Sequence, residues 1–486
     1  MSITSLQPTP IWKHFADLNA VPRASKKEER VIAFIQAFGK SLGLPTQTDQ
    51  VGNVIIKKPA TKGMENRKTV VLQSHLDMVH QKNANTNFNF DTDGIRMRIN
   101  GDWVEAEGTT LGADNGIGVA SIMAILESND IPHPAIEALF TIDEETGMTG
   151  AKGLQGGLLD GEILLNLDTE EDYELTIGCA GGIDISAFTD YAEEDTPANH
   201  ASFALHVKGL NGGHSGMEIH KGLGNANKIM NRLLLNLTEK YHICISKVDG
   251  GGLRNAIPRE SVALIAIPEQ SVSGVISFLN EQTAILKTEY ATTDAGLTIL
   301  LEPAEPSGKV MNHDFQLRIL KSIYACPSGI YRMSPDIADL VQTSNNLARV
   351  ELANGKATIL CLCRSSVDTE KYDMAKAISS AFELAGCRVS LDGAYPGWPP
   401  APHSDIVNLM SQLYTEMFGG KAHVNACHAG LECGILGTNY PKLDMISFGP
   451  TIRGAHSPDE KVQISSVQKF WGYLQETLKR IPEKAA

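Results

Sequence analysis

Thr69-Val70-Val71-Leu72-Gln73-Ser74-His75-Leu76-Asp77 is the stretch that decides the fold. Residues 69–73 are a short, nearly continuous apolar run, which reads as a buried strand. The strand runs directly into a histidine and an acid. Three other stretches repeat the arrangement. A strand over 136–142 ends in Asp143-Glu144-Glu145, one over 162–167 ends at Asp168, and one over 443–448 leads to Arg453-Gly454-Ala455-His456-Ser457. The turn Gly112-Ala113-Asp114-Asn115-Gly116 opens an apolar helix over 119–126, and a helix pattern over 27–42 precedes the first strand. Alternating strand and helix signals predict an α/β fold. In open α/β sheets ligands bind beyond the carboxyl ends of the strands. Five separated segments are therefore expected to converge on one place.

Composition narrows what that place does. At ~150 residues per domain, 486 residues predict two or three domains. Lys and Arg number 42 against 57 Asp and Glu, a net charge of −15, which disfavours nucleic-acid phosphates and anionic membranes as partners. Residues 1–20 lack the continuous apolar core of a signal peptide, and no stretch approaches a membrane span of ~20 apolar residues. The eight cysteines show no framework spacing, and Cys361 and Cys363 alternate within an apolar run over 359–363. Reduced thiols and a cytoplasmic protein are expected.

Absent motifs narrow it further. There is no G-x-G-x-x-G, no H-E-x-x-H and no G-x-S-x-G. Gly39-Lys40-Ser41 has the form of the end of a phosphate loop, but Phe34 occupies the place of its first glycine. Hydrolytic chemistry would have to come from dispersed residues. His75, Asp114, Glu145, Asp168 and His456 offer imidazoles and carboxylates, a donor set suited to zinc, cobalt or manganese. Five ligands exceed the three that a catalytic zinc usually takes, but they fit two ions if one carboxylate bridges. Each residue alone has an ordinary alternative: Asp114 a helix cap, Glu144-Glu145 a solvated turn, and Asp168 the head of a solvated acidic loop. Their shared placement at strand ends favours a site.

Ser74-His75-Leu76-Asp77, the Gly112–Gly116 turn, Asp143-Glu144-Glu145-Thr146-Gly147, Asn166-Leu167-Asp168 and Gly454-Ala455-His456-Ser457 resemble the co-catalytic zinc exopeptidases that include aminoacylases and carboxypeptidase G. Within them the match is to bacterial dipeptidases acting on aminoacyl-histidine, and it covers nearly the whole chain. The resemblance implies a zinc-exopeptidase-like catalytic domain, a mixed sheet flanked by helices, with an inserted α/β lid domain. It implies two divalent ions per chain, zinc first, with cobalt or manganese as alternatives. His75 and Asp168 would hold one ion, Glu145 and His456 the other, and Asp114 both. Asp77 would orient His75, and Glu144 would be the general base acting on a water between the ions. The implied reaction is hydrolysis of unblocked dipeptides, Xaa-His included. A related N-acyl amino acid amidohydrolase is the alternative.

Residues 182–396 interrupt the acid-bearing segments. The expected domains are therefore 1–181 and 397–486 for catalysis, with 182–396 inserted for lid and dimer formation. The inserted stretch shows a strand and helix order that recurs in its second half, which predicts two small α/β sandwiches. Gly212-Gly213-His214-Ser215-Gly216, Arg254-Asn255-Ala256-Ile257-Pro258, Cys363-Arg364-Ser365-Ser366 and Gly430-Leu431-Glu432-Cys433-Gly434 resemble substrate motifs of the same family. His214, Asn255, Arg364, Gly430 and Glu432 are the substrate-binding candidates these imply. His214 would reach the scissile oxygen from a partner subunit of a homodimer, and Arg364 would grip the dipeptide carboxylate. Glu432 would meet the free amine or serve as a structural acid. His80, His220, His403, His423 and His428 receive no role.

Overall fold

Strands Ile136–Thr141, Val70–His75, Ile163–Asn166 and Asp444–Ser447 lie side by side, all parallel, at the centre of an eight-stranded sheet. The computed structural model describes residues 2–484. Val70 lies opposite both Ile136 and Ile163, and Leu72 opposite Ala138 and Leu165. All residues of the first three strands are buried, which is why they read as apolar runs rather than alternating ones. The strands flanking them, Val54–Lys58 and Glu174–Cys179, are antiparallel. Val54–Lys58 and then Thr46–Thr48 extend one side, and Glu174–Cys179 with His423–Cys427 extends the other. The sheet is thus mixed, with its parallel strands in the middle.

The helix Ala113–Glu127 packs against strand Val70–His75 and buries Ile117, Val119, Ile122 and Ile125. Its close approach depends on Gly118: a Cβ there would lie 2.4 Å from Ser74 Oγ and 2.8 Å from Leu167 O. The C-terminal helix Ile464–Arg480 buries Phe470, Tyr473 and Leu474, and the Phe448 ring meets Phe470 and Tyr473 at 5.4 and 5.6 Å. A smaller sheet pairs Ile452–Arg453 with Lys461–Gln463 and continues to Trp103–Ala106 and Met97–Asn100. It carries the loop that bears His456.

The chain forms two units. One comprises the chain up to Gly178, Trp398–Ala426 and everything from Leu431 onward; the other comprises Cys179–Gly397 with Cys427–Gly430. In the second unit the two predicted sandwiches are one structure. A single antiparallel sheet runs in the order Thr298–Pro303, His200–Lys208, Ser261–Pro268, Cys244–Gly251, Val341–Ala353, Lys356–Ser365, Gly181–Asp190, Arg388–Tyr395, with Gly329–Met333 also on Val341–Ala353. Setting aside Gly329–Met333, each half places its second, third, first and fourth strands in that sequence outward from the join. The second strands pair with each other, Val248 opposite Leu352. Pairing these strands removes two exposed sheet edges. Leu233, Leu237, Ile319, Ile323, Ile378 and Phe382 then share one core with Ile245, Ile265, Val350 and Ile359. No disulfide joins cysteines among the described residues, and no helix among them is long and apolar enough to cross a membrane.

Candidate metal centre

The parallel strands deliver the acids and the first histidine. His75 ends its strand and is buried. Its Nε2 lies 3.2 Å from Asp114 Oδ1 and 3.4 Å from Asp168 Oδ1. His456, in the left-handed region at φ 65°, places Nε2 3.3 Å from Asp114 Oδ2 and 3.1 Å from Glu145 Oε2. Asp114 therefore turns one oxygen to each histidine, with Asp168 on the His75 side and Glu145 on the His456 side. The peptide bond between Asp114 and Asn115 is cis, and the Asn115 amide donates to Leu167 O at 2.8 Å and to Asp168 Oδ1.

Asp77 stands on the far side of His75, with Oδ1 3.3 Å from Nδ1. The same carboxylate accepts from the backbone N–H groups of Glu144 and Glu145 and from the Ser25 hydroxyl at 2.8 Å. Asp143 faces elsewhere, accepting from Lys26, Thr146 and Thr149. Beneath the site, Glu432 Oε2 accepts from Gln73 Nε2 at 2.7 Å and Thr141 Oγ1 at 2.6 Å. Gln73 in turn accepts from Asn166 at 2.5 Å. The sequence reading missed this network, although Gln73 and Asn166 are polar residues inside apolar strands and so carried the signal.

Electrostatics follow from crowding acids in a dry place. Burial pushes Glu144 well above the ordinary carboxyl range, and Asp168, Glu145 and Glu432 push it further against the pull of His75. Burial likewise raises Asp168 to about 6 and Glu432 to about 7. Burial would also raise Asp114, but hydrogen bonds from His456 and His75 outweigh it and hold that acid well below its usual range.

The donor set fits a pair of divalent ions. Three carboxylates and two imidazoles meet with nitrogen-to-oxygen separations of 3.1–3.4 Å. Ligand atoms of His75, Asp114 and Glu145 all lie within 4.8 Å of one another. Glu145 Oε1 is buried without a hydrogen-bond partner among the described residues. Buried acids in this excess need compensating positive charge.

The other substrate candidates lie in the second unit. His214 pairs with Ala256 in a short two-stranded ladder, and the adjacent Ser215 N–H donates to Asn255 O at 2.8 Å. The His214 Nδ1 accepts backbone N–H groups from Gly216 at 3.1 Å and Met217 at 3.0 Å. Arg364 is buried and donates to the Tyr395 hydroxyl at 2.8 Å, while its Nε has no partner among the described residues. Gly430 closes the Cys427–Gly430 segment.

The sequence pattern of Peptidase family M20/M25/M40 matches residues 71–480. The chain is 44% identical to the cytosol non-specific dipeptidase of Escherichia coli over 482 residues, covering 99% of each. It superposes on the crystal structure of aminoacylhistidine dipeptidase from Vibrio alginolyticus with a TM-score of 0.94 and 44% identity, covering 100% of this chain and 99% of that one. Aminopeptidase PepT from Bacillus cereus shares the fold at a TM-score of 0.57 and 15% identity, covering 98% of this chain and 99% of that one.

Proposed function

From a chain that belongs to peptidase family M20/M25/M40, we propose a dinuclear metal-dependent dipeptidase that hydrolyses unblocked dipeptides, Xaa-His included. The observation that carries the proposal is Asp114 with one oxygen toward each histidine, in a chain matching named dipeptidases end to end. His75 and Asp168 would hold one ion and Glu145 and His456 the other, with Asp114 shared. Zinc is the first candidate, then cobalt or manganese. When bound, the ions supply Lewis acidity toward the scissile carbonyl and make water more acidic.

The protein's own groups do the rest. Glu144 takes a proton from the attacking water and passes it to the leaving amine; burial among acids suits it to hold that proton. Asp77 orients His75 through Nδ1. For Glu432, the hydrogen bonds from Gln73 and Thr141 support the structural role over an amine contact.

The proposal extends to a homodimer and to His214, Asn255, Arg364 and Gly430 as substrate groups. Its support at His214 is local. With Nδ1 accepting two backbone N–H groups, the ring proton sits on Nε2, which can then donate to an oxygen that gains negative charge. A cytoplasmic location is supported by the name of the Escherichia coli relative.

A panel of free and N-acetylated dipeptides, assayed before and after chelation with the metal counted, tests the function. The expected result is two ions per chain, loss of activity on chelation, and cleavage of free dipeptides only. Full activity without metal, or a preference for the acylated compounds, would overturn it.

A further inference from the structure

The loop at Asp114 is held by a distant part of the chain where it enters the helix. Gly112, at φ 70°, makes no side-chain cap hydrogen bond to it. Asp114 and Asn115 are non-helical, so the N–H groups of residues 111–114 precede the regular helix and need acceptors of their own. Glu460 supplies them: Oε2 accepts from Leu111 N at 2.7 Å and Gly112 N at 2.9 Å, and Oε1 from Ala113 N at 2.7 Å and Asp114 N at 3.2 Å. Glu460 is only 2% exposed.

The opposite edge of the same loop is held by a cation. The buried Arg23 guanidinium donates to Gly112 O at 2.5 Å, and its other nitrogen donates to Leu76 O at 3.0 Å and Asp77 O at 3.1 Å. A Cβ on residue 112 would lie 2.5 Å from that guanidinium and 2.8 Å from Met78 Sδ, so both space and backbone require glycine. Glu460 sits four residues past His456, and its own N–H donates to Ser457 O at 3.1 Å. One carboxylate thus joins the loop of Asp114 to the loop of His456, yet its oxygens are fully engaged by backbone N–H groups.

We propose that Glu460 is a positioning residue that fixes the separation of Asp114 and His456, and so sets the affinity of the ion held on the His456 side. The proposal rests on the reading above of Asp114 and His456 as ligands. Charge-assisted hydrogen bonds from four N–H groups fix this loop more tightly than neutral ones would. Metal ligands must fall within about 0.2 Å of their required distances. Losing a partner behind a ligand typically costs ~10–100-fold in metal affinity.

Glu460→Gln turns one acceptor into a donor facing two N–H groups. Its matched control is Glu137→Gln. Glu137 is 3% exposed and accepts backbone N–H groups from Asp160 and Gly161 at 2.9 Å each, but near the start of the strand that leads to Glu144. Competitive zinc titration of the full-length apo chains, the visible spectrum with cobalt and thermal unfolding of the apo forms are the readouts. Glu460→Gln is expected to weaken one of two sites ~10–100-fold and change the cobalt spectrum. Glu137→Gln should lower only the unfolding temperature. Two ions bound by Glu460→Gln at the parent affinity, or equal weakening in Glu137→Gln, would overturn the proposal. If Glu460→Gln does not fold, Glu460→Asp replaces it, and parent affinity at both sites in that variant overturns the proposal equally. A parent chain that takes up no second ion would defeat the metal-centre reading itself, a result separable from any effect of Glu460.

Discussion

The backbone N–H of Glu144 donates to Asp77 Oδ1 at 3.0 Å. The acid that faces His75 therefore also holds the loop of the proposed general base, and one side chain serves two elements. Asp77→Asn keeps a similar shape but exchanges an acceptor for a donor. Metal affinity and turnover are each expected to fall ~10–100-fold. Chelator competition and steady-state rates check this, and parent values for both would reject the coupling.

Glu144→Gln removes the proton carrier while leaving the five proposed ligands intact. Metal content should stay at the parent level, and turnover should drop by a factor of ~10²–10⁴. A metal-loaded variant with near-normal turnover would sink the assignment.

His214 is tested by mixing chains. In the proposed homodimer, the Glu144→Gln and His214→Ala forms should each be nearly inactive, since loss of one oxyanion donor typically costs ~10²–10³ in rate. In the mixed dimer one site would regain both groups and activity should return. Proven heterodimers that stay at background would show that His214 does not act across the dimer.

His428 is expected to make the second unit acid-sensitive. Its Nε2 is bonded to Ser344 Oγ at 2.7 Å, and burial, reinforced by the charge of Arg364, pushes its pKa down to about 3. The unfolded chain takes up that proton below its ordinary value of ~6.5, whereas the folded chain does not. The stabilising contribution is thus fully present above pH ~6.5 and is lost as the pH falls toward 3. At pH 5 the loss is ~2 kcal/mol. In denaturant titrations the stability advantage of the parent over His428→Gln should shrink by about that amount between pH 8 and pH 5. A gap independent of pH would contradict it.

The central strands were legible because burial on both faces leaves an unbroken apolar signature, as in residues 69–73 and 136–142. His75, Glu145 and Asp168 were legible as candidates because they follow those signatures directly. Glu460 was not. In the run Ser457-Pro458-Asp459-Glu460-Lys461 it looks like one more solvated acid, and its partners lie about 350 residues earlier in the sequence. The single sheet of the inserted unit was also hidden. The join between Cys244–Gly251 and Val341–Ala353 is a long-range pairing, and local periodicity reports only that each segment is a strand.

The order of strands in that sheet bears on how the protein is made. Gly181–Asp190 belongs to the second half, where its partners are Lys356–Ser365 and Arg388–Tyr395, yet it precedes the whole first half in the chain. At ~5–20 residues per second a ribosome delivers Lys356–Ser365 roughly ten to thirty seconds after Gly181–Asp190. Through that interval the nascent strand has both edges unpaired, a template for misassociation. The first half, whose four strands emerge in succession, can condense meanwhile, so vectorial synthesis imposes a sequence of folding events that dilution of the denatured full-length chain would not reproduce.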